Sequence, residues 1–228
     1  MKKGILLVAA LLNFHFGFSQ QIRFNDELDE FCKTSIREYS SIPVERKAIL
    51  ENAAEMLSKK QYILFTCQTN SRRTLLLQVW AQTAFYYYGI NKASFSIGDT
   101  ISSIYPGLVN IFKESGFTYN EYRNEESKGF MISTSKKYPK NIIVPKKDLG
   151  KIDTSKVLLV SICFNGENSV LASNTPHLNL PFESPKVFEK TPNENQKYFV
   201  LNKQISIEMF YLAHKTKEIL MKSEDLTK

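Results

Sequence analysis

The feature that most constrains the fold is a strand, a polar loop and a long helix in immediate succession between residues 62 and 90. Residues 62–66 read YILFT, an apolar run with the length of a short buried strand. From Arg73 onward, mostly apolar residues recur three and four positions apart, at Leu76, Val79, Trp80, Thr83 and Tyr87. That spacing predicts a helix with one buried face. A strand joined to a helix in this way is the building unit of a parallel α/β sheet.

The rest of the chain repeats this alternation of strand and helix. Strands are expected at 92–98 (KASFSIG) and at 157–163 (VLLVSIC), which is uninterrupted and apolar, as in a sheet covered on both faces. Helices are expected within 25–60, at 106–116 and in a long amphipathic segment that begins at residue 193. The pattern predicts the α/β class, with helices on both faces of a parallel sheet and a helical N-terminal extension.

Residues 1–19 have the layout of a secretory signal peptide. Two lysines open the segment, residues 5–12 are apolar, and a GFS triplet at 17–19 offers a small-x-small cleavage site. The alternative is an uncleaved membrane anchor, but the apolar run is shorter than the ~20 residues that a span needs. We therefore expect a mature chain from about Gln20, exported to the periplasm or secreted, with no stable membrane insertion after cleavage.

Charge and cysteine content restrict the partners. The formal net charge is +7, but no basic stripe is interleaved with aromatics, so nucleic acid is not an expected partner. The three cysteines (Cys32, Cys67 and Cys163) are an odd number, so at least one stays a thiol or pairs with another molecule. Their spacing does not resemble a zinc site, and we expect neither a metal nor another cofactor.

The loop at residues 67–74 has the composition of an oxyanion site. A loop between a parallel strand and a helix lies at the carboxyl edge of the sheet, where N–H groups of the helix start and the helix dipole favour an anion. Arg73 can hold two oxygens of that anion through its planar guanidinium. The same field is expected to lower the pKa of Cys67 and make it a nucleophile. Cys32 is interpreted as helix packing.

The other loop residues are assigned to substrate binding. The hydroxyl of Thr74 is expected to donate to the Cys67 thiolate, and Asn70 to adopt the unusual backbone turn of a loop without glycine. Arg72 is expected to be a rim charge that attracts anions. The full set is Gln68, Thr69, Asn70, Ser71, Arg72 and Thr74. A lone Cys-x5-Arg pattern also fits a buried cysteine before an exposed helix start, and the position of the loop favours the functional interpretation.

The segment ILFTCQTNSRRTLLLQVWAQTAFYYYGI resembles the opening of the low-molecular-weight protein tyrosine phosphatase superfamily, which includes thioredoxin-coupled arsenate reductases. NSRR and WAQTA.YYG are more specifically similar to exported, helix-extended members from bacteria of the Bacteroidetes type, and the likeness extends through FESPKVFEKTP to EMFY. The resemblance implies a four-stranded parallel sheet in the order 2-1-3-4, Cys67 as nucleophile and Arg73 as the phosphate-binding arginine. The domains it implies are an extension at 20–60 and a phosphatase-like domain at 61–228.

The chain departs from that family at two places. Ser184 stands where the family has the aspartate that acts as general acid, and serine cannot protonate a leaving group at neutral pH. Glu183 is the candidate substitute, the alternative being a solvated loop carboxylate. Cys163 matches the second redox cysteine of the reductases, although a third, expected near Val170, is absent. Cys163 is therefore either a reversible disulfide partner of Cys67 or a core residue.

Three functions follow from the resemblance and its gaps. The first is a cysteine-dependent phosphatase that hydrolyses a phosphomonoester, such as phosphotyrosine, through a phosphocysteine with no metal. The second is a catalytically weakened protein that binds oxyanions without effective turnover. The third is an arsenate reductase that uses an external thiol. In each case the expected partner is a phosphorylated substrate or an inorganic oxyanion such as phosphate or arsenate.

Overall fold

The computed structural model describes residues 22–100, 103–123, 128–135, 140–146, 150, 152–164 and 176–225. The expected signal peptide at 1–19 lies outside the described residues. None of the helices in the described ranges is long and apolar enough to cross a membrane.

Helices and strands alternate along the described residues. The α-helices are α1 (Asp26–Arg37), α2 (Val44–Ser58), α3 (Arg73–Tyr88), α4 (Gly107–Glu114) and α5 (Glu194–Asp225). The strands are β1 (Tyr62–Thr69), β2 (Ala93–Thr100), β3 (Thr118–Arg123), β4 (Lys128–Ser133), β5 (Lys140–Ile143), β6 (Val157–Ser161) and β7 (Leu178–Asn179). Each expected helix and strand is present, and β1 is longer than expected because it continues through Cys67 to Thr69.

Four strands form a parallel sheet in the order β2-β1-β6-β7. Within this sheet alone, the chain order of the strands is 2-1-3-4, so the expected fold class is confirmed. The central strand β1 pairs with both neighbours, as Leu64 does with Phe95 of β2 and Leu159 of β6. The carboxyl end of β1 therefore lies in the middle of the sheet edge, where ligands bind in parallel α/β folds.

A second sheet lies between α4 and β6 in the chain and was not expected from the sequence. Its order is β3-β4-β5, and both pairings are antiparallel. Strand β3 reads TYNEYR and exposes most of its side chains, so it lacks the apolar signal of a core strand. Phe130, Ile132 and Ile143 of the next two strands are buried, and Phe130 packs on Phe112 of α4 with ring centroids 5.6 Å apart.

Helix α3 is buried on more than the single face that the spacing predicts. Twelve of the thirteen residues from Arg73 to Phe85 are buried, and the remaining one, Gln78, is half-buried. The outer side is covered because Phe31 of α1 stacks on Trp80 at 5.1 Å and Phe210 of α5 packs on the same ring. The helical extension thus shares the core with the sheet. The domain boundary at residue 60 stays a prediction.

Candidate active site

Two cysteines meet at the carboxyl edge of the parallel sheet. Cys67 lies two residues before the end of β1, and Cys163 lies two residues after the end of β6. Their Sγ atoms are 3.1 Å apart, which is hydrogen-bonding distance for two thiols, and both side chains are buried. The neighbouring strand ends bring the two expected redox residues together. Cys32, by contrast, is buried in α1 and away from this edge, as a packing residue.

Arg73 is the first residue of α3 and reaches back over the loop. Its Nη2 lies 3.4 Å from Cys67 Sγ, and its Nη1 donates to the carbonyl oxygen of Phe182. Arg73 is 8 % exposed, and these two contacts hold its guanidinium beside the thiol. Helix α3 also begins at this point, and the first N–H groups of a helix, which have no acceptor earlier in it, favour an anion.

The pKa of the Cys67 thiol is raised, contrary to the expected lowering. The contact with Cys163 raises it most, and burial adds to the effect. The Arg73 charge and the backbone N–H of Gln68 act in the opposite direction but do not outweigh these causes. Ionisation of Cys67 is disfavoured because it places a negative charge in a buried site beside a second sulfur that can itself ionise, and like charges repel.

Removing the Cys163 thiol should therefore activate Cys67. In Cys163→Ala the largest cause of the raised pKa is gone, so the pKa of Cys67 should fall and its alkylation at neutral pH should become several-fold faster. The measurement is the rate of iodoacetamide labelling of Cys67 against pH, read by mass spectrometry. Cys32→Ala serves as a control, because Cys32 does not contact the site. A slower reaction in Cys163→Ala would contradict this account.

Asn70 and Thr74 support the loop in a way that the sequence did not indicate. The hydroxyl of Thr74 donates to Asn70 Oδ1 at 2.7 Å rather than to the thiol of Cys67. Asn70 Nδ2 then donates to the carbonyl oxygen of Ser96 at 3.0 Å. Asn70 does not have a positive φ, since Lys190 is the non-glycine residue with positive φ among those described, so any unusual backbone turn at Asn70 is not a left-handed one. The Asn70 side chain joins the loop to β2, which fixes the backbone of the site.

Gly98 of β2 allows this close approach. A Cβ at Gly98 would lie 2.5 Å from the backbone nitrogen of Asn70 and 3.0 Å from the carbonyl carbon of Thr69. Real side chains do not tolerate such contacts, so any larger residue must displace the loop. The absence of a side chain here keeps the loop against the strand, and no motif in the sequence marked this position.

Gly98→Ala should lower turnover or phosphate affinity by about 10²-fold, because a loop displaced by a fraction of an ångström no longer aligns its donors. The measurement is kcat/KM for 4-nitrophenyl phosphate. If there is no turnover, it is the phosphate concentration that protects Cys67 from alkylation by iodoacetamide. Ser94→Ala is the matched control in the same strand: it removes the hydrogen bond from Ser94 Oγ to the Gln78 carbonyl and leaves the loop alone. Equal effects of the two substitutions would refute the steric role.

Arg72 is not the unpaired rim charge expected from the sequence. Its Nε and Nη2 donate to the two carboxylate oxygens of Glu189, at 2.6 and 3.1 Å. Tyr198 OH donates to the same carboxylate at 2.7 Å, and Arg72 Nη1 donates to Ser71 Oγ at 2.9 Å. Tyr105 stacks on Tyr198 with ring centroids 4.6 Å apart. The charge of Arg72 is therefore compensated by a bidentate ion pair that ties the loop to the segment before α5.

A small cleft with a volume of about 20 Å³ opens above these groups. It is lined by Cys67, Gln68, Thr69, Arg72, Arg73, Thr74, Ser184 and Lys186. Ser184, which the sequence resemblance places at the position of the expected acid, thus reaches the cleft. Glu183 is exposed and is not among the lining residues, and its role as a substitute acid stays a prediction. Asn70 and Ser71 are buried beneath the loop and hold its shape.

Sequence reasoning missed four residues that shape this site. Glu189 and Tyr198 hold Arg72, Gly98 admits the loop, and Lys186 stands at the mouth. Lys186 carried the one usable signal, because it follows by two positions the serine that replaces the expected acid. The others meet the loop only through the tertiary fold, at separations of more than twenty residues in the chain.

Comparison with known proteins gives structural likenesses alone. No protein-family model matches the chain, and no curated protein matches it. A mutant of YwlE from Bacillus subtilis superposes with a TM-score of 0.48 and 13 % identity over 68 % of this chain and 97 % of that one. The thioredoxin-dependent arsenate reductase Cg_ArsC1' from Corynebacterium glutamicum gives a TM-score of 0.35 and 14 % identity over 88 % and 98 %. Likenesses of this strength do not bear on activity.

Proposed function

We propose that the chain is a cysteine-dependent phosphatase-like protein of the low-molecular-weight protein tyrosine phosphatase type, acting on a phosphomonoester. The observation that carries the proposal is the guanidinium of Arg73 held 3.4 Å from Cys67 Sγ at the start of α3. A nucleophile, a fixed cation and a helix N-terminus together suit the attack on a tetrahedral oxyanion. The motif between residues 63 and 90 supports the same family.

The proposed reaction has two steps. Cys67 loses its proton and its sulfur attacks phosphorus, while the bond to the leaving alcohol oxygen breaks and that oxygen takes a proton from water or from Glu183. Arg73 and the N–H groups at the start of α3 bind the three equatorial oxygens, where charge is greatest in the transition state. Water then attacks the phosphocysteine, which releases phosphate and restores the thiol.

The missing aspartate limits the first step. Because Ser184 cannot supply a proton at neutral pH, the rate should depend strongly on the leaving group, and a weak one should be slow by up to ~10²–10⁴-fold. The experiment compares 4-nitrophenyl phosphate with phenyl phosphate and traps the enzyme by acid quench for intact mass. Phosphate on Cys67 supports the proposal. Turnover without a phosphoenzyme, and unchanged in Cys67→Ser, would overturn it.

The contact between Cys67 and Cys163 favours a second candidate, an arsenate reductase. Cys67 would attack arsenate and displace water, giving a thiol-arsenate ester. Cys163 would then attack the Cys67 sulfur, so that arsenic(V) leaves as arsenite and a Cys67–Cys163 disulfide forms, supported by the Sγ separation of 3.1 Å. An external thiol would reduce this disulfide. Arsenate-dependent oxidation of dithiothreitol that disappears in Cys163→Ala would favour this candidate, and no oxidation would remove it.

Binding without turnover is the remaining candidate, and the serine at position 184 is what favours it. Phosphate would then protect Cys67 from alkylation although no ester is hydrolysed.

We further propose that the protein is exported after cleavage near Gln20, on the basis of the charged and apolar pattern at 1–19. N-terminal sequencing of the protein recovered outside the cytoplasm would test this, and an intact start on cytoplasmic protein would contradict it.

A further inference from the structure

The mouth of the cleft is polar throughout. Among the described residues that line it, none has an aromatic ring or a purely aliphatic side chain. The least polar of them is Cys67. An aromatic leaving group such as a tyrosine ring therefore finds no stacking partner in this part of the wall. The lining instead offers hydroxyls, an amide and cations, which suit a small polar ligand.

The three cations of the lining differ in how they are used. Arg73 is directed at Cys67, and Arg72 is neutralised by Glu189 through two hydrogen bonds. Lys186 is exposed, and the structure pairs its side chain with no carboxylate within ion-pair distance among the described residues. Among the described residues, Lys186 is therefore the cation of the lining that makes neither an ion pair nor a contact with Cys67, although its charge is one of those that lower the pKa of Glu189.

The backbone of Lys186 is held in place, although its side chain is exposed. It lies in the 3₁₀ turn Pro185–Phe188, whose Pro185 is buried, and its carbonyl oxygen accepts from the N–H of Glu189 at 3.2 Å. Upstream, the N–H of Phe182 donates to the Ile162 carbonyl and so fixes the segment to the end of β6. The fixed backbone thus places Lys186 in the lining of the cleft, within reach of a ligand in the loop.

We propose that the cleft prefers phosphate-type esters that carry a second anionic group, a carboxylate or a further phosphate, which pairs with Lys186 while the reacting oxyanion occupies the Cys67–Arg73 loop. The inference rests on the proposed function, because it assigns the substrate class of the same site. Glu189 has a defined part in it. By accepting two hydrogen bonds from Arg72, Glu189 holds that guanidinium away from a second anion, whereas Lys186 makes no such ion pair and can bind it.

The test uses a pair of substrates that differ in charge and little in shape. These are 3-carboxyphenyl phosphate and 3-carbamoylphenyl phosphate, whose ring and phosphate are the same. At low ionic strength kcat/KM should favour the carboxylate by about twofold to fivefold, the range for a partly exposed ion pair, and added salt should reduce the preference. Lys186→Gln should bring the ratio to about one, because kcat/KM for the carboxylate ester falls by more than kcat/KM for the amide.

Two further variants distinguish a specific effect of Lys186 from a general effect of the protein's positive charge. Lys197→Gln removes a nearby lysine whose ammonium lies over the Phe188 ring and does not line the cleft, so its ratio should stay that of the parent chain. Glu189→Gln frees Arg72 and should raise the ratio above that of the parent. An identical loss of preference in Lys186→Gln and Lys197→Gln would overturn the proposal, because the preference would then come from the overall positive charge of this surface.

The outcomes distinguish this proposal from the proposed function. Equal hydrolysis of both esters, dependent on Cys67, overturns the substrate class and leaves the phosphatase chemistry standing. If neither ester is hydrolysed, the same ratio is read from the concentrations that protect Cys67 from iodoacetamide. Stronger protection by the carboxylate, lost in Lys186→Gln, supports the proposal even though the phosphatase chemistry fails. Equal protection, or none, overturns it.

Discussion

Arg73→Lys is expected to lower kcat/KM for 4-nitrophenyl phosphate by about 10²–10³-fold, the cost of removing one donor from a preorganised anion site. Lysine keeps the charge but cannot copy the planar fork that contacts Cys67 and the Phe182 carbonyl oxygen at once. The loss should fall mainly on kcat, because charge on the equatorial oxygens is greatest in the transition state. Steady-state kinetics measures it directly.

Arg72→Lys is the matched control for that substitution. Arg72 is adjacent in the chain and also lines the cleft, but Glu189 compensates its charge, so its loss should cost less than about tenfold. Thermal unfolding of both variants should show that they fold. If the two substitutions reduced kcat/KM equally, the assignment of Arg73 as the oxyanion-binding arginine would be wrong.

Trp80→Ala should reduce the free energy of unfolding by about 3–5 kcal/mol, the range for deleting a buried aromatic side chain. Trp80 is fully buried between Phe31 of α1 and Phe117, whose ring centroid lies 5.0 Å away. Its Nε1 also donates to Asn202 Oδ1 of α5 at 2.7 Å, and the substitution leaves that buried oxygen without its partner. Urea denaturation of the reduced protein measures the change.

Val200→Ala controls for this effect on the neighbouring helix, because Val200 of α5 is 56 % exposed and its truncation should change stability by less than about 0.5 kcal/mol. The Trp80 result also concerns the N-terminal extension. If α1 were an independent attachment, Phe31→Ala would leave the unfolding transition unchanged. We expect instead that it shifts the same single transition, because Phe31 covers Trp80 in the shared core.

The strand, loop and helix around Cys67 could be predicted because their signals are local. An apolar run, a polar loop and a 3.6-residue period lie within thirty residues and need no distant partner to be interpreted. The second sheet could not be predicted in that way. Its first strand exposes most side chains, and its stability comes from pairing with β4, whose Phe130 and Ile132 provide the burial.

In the site, too, the residues with local sequence signals could be predicted and those that depend on distant partners could not. Cys67 and Arg73 are placed by the local motif, and the structure brings them together as expected. The function of Arg72 could not be predicted, because Glu189 lies 117 positions further along the chain and reaches it through the tertiary fold. The pKa of Cys67 differed from expectation for a similar reason. Cys163 comes from another strand, and its contact outweighs the local positive charge.

The most direct test of the central claim is hydrolysis of 4-nitrophenyl phosphate by the reduced protein beside Cys67→Ser, from pH 5 to 8. The leaving group of this ester needs little protonation, so the serine at position 184 should not mask a working nucleophile. We expect turnover in the parent chain that disappears in Cys67→Ser and is inhibited by inorganic phosphate. Absent turnover in the parent, or turnover that survives in Cys67→Ser, would contradict the claim that Cys67 is the nucleophile of a phosphatase.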